Sequence, residues 1–290
     1  MRKVKQIYRA NSQHWVGDVF LVRPLFSHMA DDRGTNPFLM LDYAAPYEFA
    51  PNEARSPRGV GQHPHKGFET VTLAYHGEVA HRDSSGGGGI IYEGDVQWMT
   101  AGSGIIHEEF HSEAFSKQGG LFEMVQLWVN LPAVHKNALP RYQHLAKADI
   151  PVLPLPDEAG HLRLIAGERD GTRGSADTFT EMNVWDIVLN AGKAAVLEVP
   201  ESHNLSLVIL RGNVLINGQD AAEPGELVGF EQGGGQFTVN AGSEEAKILL
   251  LSGVPINEPV VGYGPFVMNT AEEIRQAVRD FNEGKFGRID

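Results

Sequence analysis

An all-β fold of two barrels in one chain, followed by a short α-helix, is the architecture this sequence predicts, and three observations predict it. The first is texture: 33 Gly and 16 Pro are scattered between short Val, Ile, Leu and Phe runs, the pattern of many strands joined by tight turns. The second is an internal repeat. Leu73-Ala74-Tyr75-His76-Gly77-Glu78-Val79 is echoed by Val208-Ile209-Leu210-Arg211-Gly212-Asn213-Val214, and Glu93-Gly94-Asp95-Val96 by Pro224-Gly225-Glu226-Leu227. The third is a change of period near the end, where apolar residues recur at helical spacing.

Taken in order, Thr70 to Tyr75 is a β-forming run, and Val125 to Leu131 alternates as a strand that Pro132 stops. Pro140, Pro151, Pro154 and Pro156 then stud a crossing better suited to a connector than to a core element. This sets the expected domains at 1–140, an N-terminal barrel, and 141–290, a C-terminal barrel plus the helix. Between landmark glycines the interval is 17 residues in the first half (Gly77 to Gly94) and 13 in the second (Gly212 to Gly225). Gly86-Gly87-Gly88-Gly89 matches the excess, as an insertion into a surface turn would. Near the end, Thr270-Ala271-Glu272-Glu273 is a capping box, with Thr270 accepting from the amide of Glu273 and Glu273 reaching back to the cap. Ile274, Ala277, Val278 and Phe281 follow on one face, and Gly284 is the stop. A helix of about fourteen residues is marginal alone and has to pack on a barrel.

Composition narrows the function. At 290 residues the chain suits two domains, each large enough for its own core. Cysteine is absent, which removes disulfides, thiolate metal sites and a Cys nucleophile together and fits a reducing compartment. A net charge of -13 opposes attraction to phosphate backbones and anionic lipid, so direct nucleic-acid binding is not expected. The basic start, Met1 to Gln6, leads into a polar stretch without an apolar core, and nowhere do 18 apolar residues run together. A soluble, cytoplasmic protein without membrane attachment is expected.

The most informative words are His63-Pro64-His65 and His107-Glu108-Glu109. Each places two metal-binding side chains at i and i+2, which an extended strand points to the same face. If the two strands meet, His63, His65, His107 and Glu109 converge. Three neutral imidazoles and a carboxylate suit a first-row metal with open positions, for iron chemistry with oxygen or for Lewis-acid chemistry. The repeat offers an internal comparison: the offset of the first glycine pair sets His63 and His65 on Glu198 and Pro200, and that of the second sets His107 and Glu109 on Thr238 and Asn240. The second half lacks the donors, so its barrel is expected to be degenerate.

Other signals are plainer. Ser84 to Gly89 lacks the Gly-Lys-Ser/Thr of a phosphate loop and is expected as a mobile turn, and Gly233 to Gly235 as a loop between strands. No Gly-x-Ser-x-Gly elbow is present. His76, His81 and His111 lie outside the two words and are expected as surface or turn residues. Phe38, Met40, Phe68, Trp98 and Met99 flank the words; ordinary packing is their plain role, and an apolar wall for a planar ligand the alternative.

The sequence resembles the pirin family of the cupin superfamily. The likeness rests on Pro37 to Asp42, His63-Pro64-His65-Lys66-Gly67-Phe68-Glu69-Thr70-Val71, Gly94 to His107, Leu127 to Leu131 and Gly264-Pro265-Phe266-Val267-Met268-Asn269-Thr270. It is dense over residues 37 to 131 and thinner near the end. The resemblance implies two cupin-type barrels in one chain, a bicupin, with one iron, Fe(II), in the N-terminal barrel on His63, His65, His107 and Glu109. A cupin typically also uses a Glu four residues after the second His, which is Glu69 here; it is a geometric rival to Glu109 unless Gly67 marks a bulge that turns it away. The pirin resemblance favours Glu109 and leaves Glu69 as a supporting or substitute ligand. Some pirin-like proteins are similar in activity to quercetinases, which open flavonols with dioxygen and release carbon monoxide. That implies a flavonol-like substrate and dioxygen, with Glu109 as general base. Others resemble non-catalytic, iron-dependent regulators that act through a protein partner, for which Glu93, Asp95, Glu108, Glu113 and Glu123 could form a facing patch.

Overall fold

The computed structural model describes residues 1–10, 12–29, 33–52 and 57–289, and antiparallel strands dominate it. Two seven-stranded sheets share one plan. The first runs His14–Val16, Phe20–Ser27, Phe38–Phe49, Gly120–Asn130, Phe68–His76, Val96–Thr100, Arg141–Leu145. The second runs Val152–Leu155, Gly160–Ala166, Met182–Leu189, Ala246–Gly253, Asn204–Arg211, Glu226–Phe230, Val4–Arg9. Each plan has a matching four-stranded sheet: Gly59–His65, Ile105–His111, Val79–Asp83, Gly88–Ile91 in one, and Ala194–Glu198, Gln236–Ala241, Val214–Ile216, Asp220–Ala222 in the other. The repeat read from the glycines is therefore one barrel plan used twice. Gly77 and Gly212 recur because both occupy left-handed backbone, φ 82° and 69°, that a side chain disfavours.

The strand Gly120–Asn130 shows how pattern becomes position. Val125, Leu127 and Val129 alternate onto one fully buried face, while the intervening Gln126 and Trp128 line a cavity on the other. In the second barrel Leu164, Trp185, Ile187, Leu207, Phe237 and Ile248 belong to one continuous apolar core.

The compact units are not the contiguous pieces 1–140 and 141–290. Met1–Asn11, Asp32–Pro37 and Ala148–Pro255 form one, and Ser12–Asp31, Phe38–Lys147 and Ile256–Asp290 the other. An edge strand needs only a free row of backbone donors and acceptors, which a distant stretch of chain can complete. Val4–Arg9 does this beside Glu226–Phe230, in the place that Arg141–Leu145 takes in the other sheet.

The helix Ala271–Asn282 belongs with the first barrel rather than the second, because its apolar face is buried there. Ile274 and Ala277 pack with Phe266, Met268 and Phe286, and Ile106 of the strand Ile105–His111 flanks this cluster. Thr270 caps it by accepting from the Glu273 amide at 3.2 Å. Glu273 reaches back one residue further than expected, to the amide of Asn269 at 3.1 Å. Among the described residues, no helix is long and apolar enough to cross a membrane.

Candidate metal centre

Strand pairing brings the two short words together. Gly59–His65 is the edge of its sheet, where Pro64 is tolerated because an edge strand need not donate on both sides. It pairs with Ile105–His111 so that His63 lies opposite His107 and His65 opposite Ile105. Ring centroids stand 4.2 Å apart for His63 and His107, 4.8 Å for His65 and His107, and 4.9 Å for His63 and His65. One ligand nitrogen from each of the three falls within 4.8 Å of the others.

Burial, then the neighbouring imidazoles, hold His65 and His107 well below the ordinary histidine range, so both rings are neutral donors at physiological pH. Nδ1 of His63 donates to the Gly61 carbonyl at 2.8 Å, so Nε2 is the ring nitrogen left to meet a ligand. Nδ1 of His65 and Nε2 of His107 are buried without a hydrogen-bond partner. Unpartnered nitrogens in a desolvated core are costly unless something coordinates them. Neutral imidazole nitrogens clustered in this way fit a first-row divalent metal.

Glu109 is placed differently from the expected single point. A register shift between His107 and Glu109 sets Glu109 opposite Val60 on one side and His81 on the other. It groups with His107 and His81, whose ligand atoms also lie within 4.8 Å of one another, so His107 is common to both groups. Gln97 Nε2 at 3.1 Å and Thr72 Oγ1 at 3.4 Å both donate to Glu109 Oε1.

Glu69 does not join either group among the described residues. Gly67 at φ 86° interrupts the extended chain between His65 and Glu69, and the parity that would align them is lost. The Glu69 carboxyl instead accepts from Thr100 Oγ1 at 2.6 Å, and burial pushes it up to about 7 against that hydrogen bond.

Three imidazole and carboxylate side chains, His63, His65 and Glu109, line a cavity of about 270 Å³. Its apolar wall is Val16, Phe20, Val22, Met40, Val60, Met124 and Trp128, with Asp42 and Gln126 adding polar groups. Of the flanking residues considered as a wall, Met40 serves; Phe38, Phe68, Trp98 and Met99 are packed in the core. Burial pushes the Asp42 carboxyl up to about 6, against a smaller opposing pull from His14.

The residues that decide membership lie on both halves of the chain. Residues 19–129 match the family description Pirin, and residues 184–287 match Pirin C-terminal cupin domain. The chain belongs to the pirin family. It is 50% identical over 288 residues to a Pseudomonas aeruginosa protein named "Putative quercetin 2,3-dioxygenase", covering 99% of each. Pirin-like protein 2 of Arabidopsis thaliana is 39% identical, over 93% of this chain and 81% of its own. A crystal structure described as quercetin 2,3-dioxygenase from Acinetobacter baumannii is 52% identical, covers all of both chains and superposes with a TM-score of 0.95.

In this pirin two of the three histidines expected at the surface are buried. His111 packs edge-on to Phe49 and Phe115, and burial lowers it to about 4. His81 stacks on Tyr142, with ring centroids 5.0 Å apart, and its Nδ1 stands 3.3 Å from Nδ1 of His107. The signal was a third i, i+2 word, His81-Arg82-Asp83, on the strand that pairs with Ile105–His111. His76 is partly exposed and meets Glu93 at 3.1 Å. The Ser84 to Gly87 turn is anchored rather than loose: Asp83 Oδ1 accepts from the Ser85 and Gly87 amides, and Ser84 Oγ donates to the Phe286 carbonyl. The acidic residues near the words do not form one outward patch. Asp95, Glu108 and Glu123 are buried on His144, Arg82 and Tyr43, and of the five only Glu93 and Glu113 are exposed.

Proposed function

We propose that this pirin is a metal-dependent dioxygenase that opens a flavonol-like aromatic substrate, with ferrous iron held by His63, His65, His107 and Glu109. The observation that carries the reading is the meeting of three imidazoles, His63, His65 and His107, two of which, His63 and His65, stand on the wall of an apolar cavity that Glu109 also lines. The named relatives support the same reaction class. Ferrous iron with open positions would supply electron exchange with dioxygen and a place for a substrate oxygen.

The chain's own residues then have distinct tasks. Trp128, Phe20, Met40 and Met124 offer flat and flexible apolar contact to a planar ring and exclude water. At about 270 Å³, the cavity lies just below the roughly 300–1,000 Å³ usual for small-molecule sites, which favours a single aromatic ligand. Glu109 takes the proton of the flavonol hydroxyl. Gln97 and Thr72 both hold Oε1, so the carboxylate is oriented from one side and Oε2 is the oxygen turned to other work. An ionised flavonol is electron-rich, the form that reacts with dioxygen.

The test is to load the protein anaerobically with ferrous ion, add quercetin and oxygen, and follow flavonol absorbance, oxygen uptake and carbon monoxide together. The reading expects coupled consumption that disappears in His63→Ala and His107→Ala. Stoichiometric metal without turnover of any flavonol would overturn it and favour a non-catalytic, partner-directed role.

A further inference from the structure

We propose that Asp83 and His81 are positioning residues that fix the tautomer of His107, leaving its Nε2 lone pair bare for the metal. The tautomer follows from hydrogen-bond geometry alone; its consequence for the metal rests on the ligand reading above.

Asp83 Oδ2 lies 3.2 Å from His81 Nε2. A carboxylate only accepts, so His81 carries a proton on Nε2. The opposite side of the ring shows that Nδ1 carries the lone pair. Glu109 Oε1 fixes the orientation of the Gln97 amide by taking a hydrogen from Nε2, and the Tyr142 hydroxyl donates to Gln97 Oε1 at 3.3 Å. The same Gln97 Nε2 faces His81 Nδ1 at 3.4 Å, which requires that atom to accept. With a lone pair on His81 Nδ1, the 3.3 Å approach of His107 Nδ1 is a donation from His107. The His107 proton is therefore on Nδ1. Its Nε2 is the buried atom that has no hydrogen-bond partner. A metal-ligating histidine fixed by a further hydrogen-bonded group is a general device, and here the device has two links, carboxylate to imidazole to imidazole.

The anchored turn makes the relay testable by a change of two atoms. Asp83 Oδ1 accepts from the Ser85 amide at 2.8 Å, Ser85 Oγ at 2.6 Å and the Gly87 amide at 3.0 Å. In Asp83→Asn those three donors hold the amide oxygen at that site and direct the NH2 at His81 Nε2. His81 is then driven to accept there, to carry its proton on Nδ1 at the expense of the long 3.4 Å contact from Gln97, and to donate to His107 Nδ1, which moves the His107 proton onto Nε2.

The experiment uses histidine-labelled metal-free protein at neutral pH, with long-range proton–nitrogen NMR correlations to read each ring's tautomer, and competition against a chromogenic chelator under argon to read affinity for ferrous ion. The expected result is His107 protonated on Nδ1 and His81 on Nε2 in the native chain, both reversed in Asp83→Asn, with ferrous affinity falling about 10- to 100-fold. A His107 protonated on Nε2 in the native chain overturns the proposal, whether or not the variant folds. So does an Asp83→Asn variant with unchanged tautomers. Reversed tautomers with unchanged ferrous affinity support the relay and refute His107 as a ligand.

Discussion

His63, His65 and His107 owe their meeting to the two-residue period of a strand, and that period is readable from residue numbers alone. His81 obeys the same period, yet its partner in the word is Asp83 rather than a second histidine, so its part emerges only from its pairing opposite Glu109. Replacing Glu109 by Gln keeps shape and removes the proton acceptor. Turnover is expected to fall roughly 10²- to 10⁴-fold while metal content falls less, measured by steady-state rates against metal analysis. Glu69 makes a separate prediction. Its folded-state carboxyl is raised from 4.5 to about 7, so the unfolded chain releases this proton first and stability falls as pH rises through that window. Glu69→Gln removes the fall. Denaturant unfolding of metal-free protein should show the variant more stable at pH 8, by on the order of 3 kcal/mol, and no different at pH 4. Equal stabilities at pH 8 would contradict the burial argument.

At the scale of elements, the ideal-strand rule fails at one peptide. Counting by twos from His65 reaches Glu69, but Gly67 adopts φ 86° and its missing Cβ is where the Val267 carbonyl oxygen sits, 2.1 Å from the ideal position. Nothing in a lone glycine code announces a carbonyl arriving from 200 residues later. Gly67→Ala is expected to cost about 1–3 kcal/mol from backbone strain, with the clash added. Gly61→Ala, at a position with open space around the missing Cβ, should stay within about 0.5 kcal/mol. Unfolding midpoints for the pair check this, and equal losses would refute it. The terminal helix was legible in existence and cap, because Thr270, Glu273 and the apolar spacing are local signals. Its host barrel was not, since that depends on Phe266, Phe286 and Ile106 meeting across long separations.

Among the described residues of the whole molecule, one barrel plan occurs twice, and the three-histidine set falls in the first barrel alone. The doubling was visible in the glycines that turn the chain, because left-handed positions constrain the residue type strongly. The exchange of terminal segments between units was not, because an edge pairing such as Val4–Arg9 with Glu226–Phe230 is written in backbone groups common to every residue. The strand Ala194–Glu198, in the place of Gly59–His65, carries no histidine, and Gln236–Ala241 replaces Ile105–His111 with Thr238 and Asn240. Binding should therefore be confined to the first barrel. Titration of metal-free protein with ferrous ion under argon tests this most directly. The account predicts one tight equivalent per chain, lost in His107→Ala; two tight equivalents, or one that survives that substitution, would contradict it.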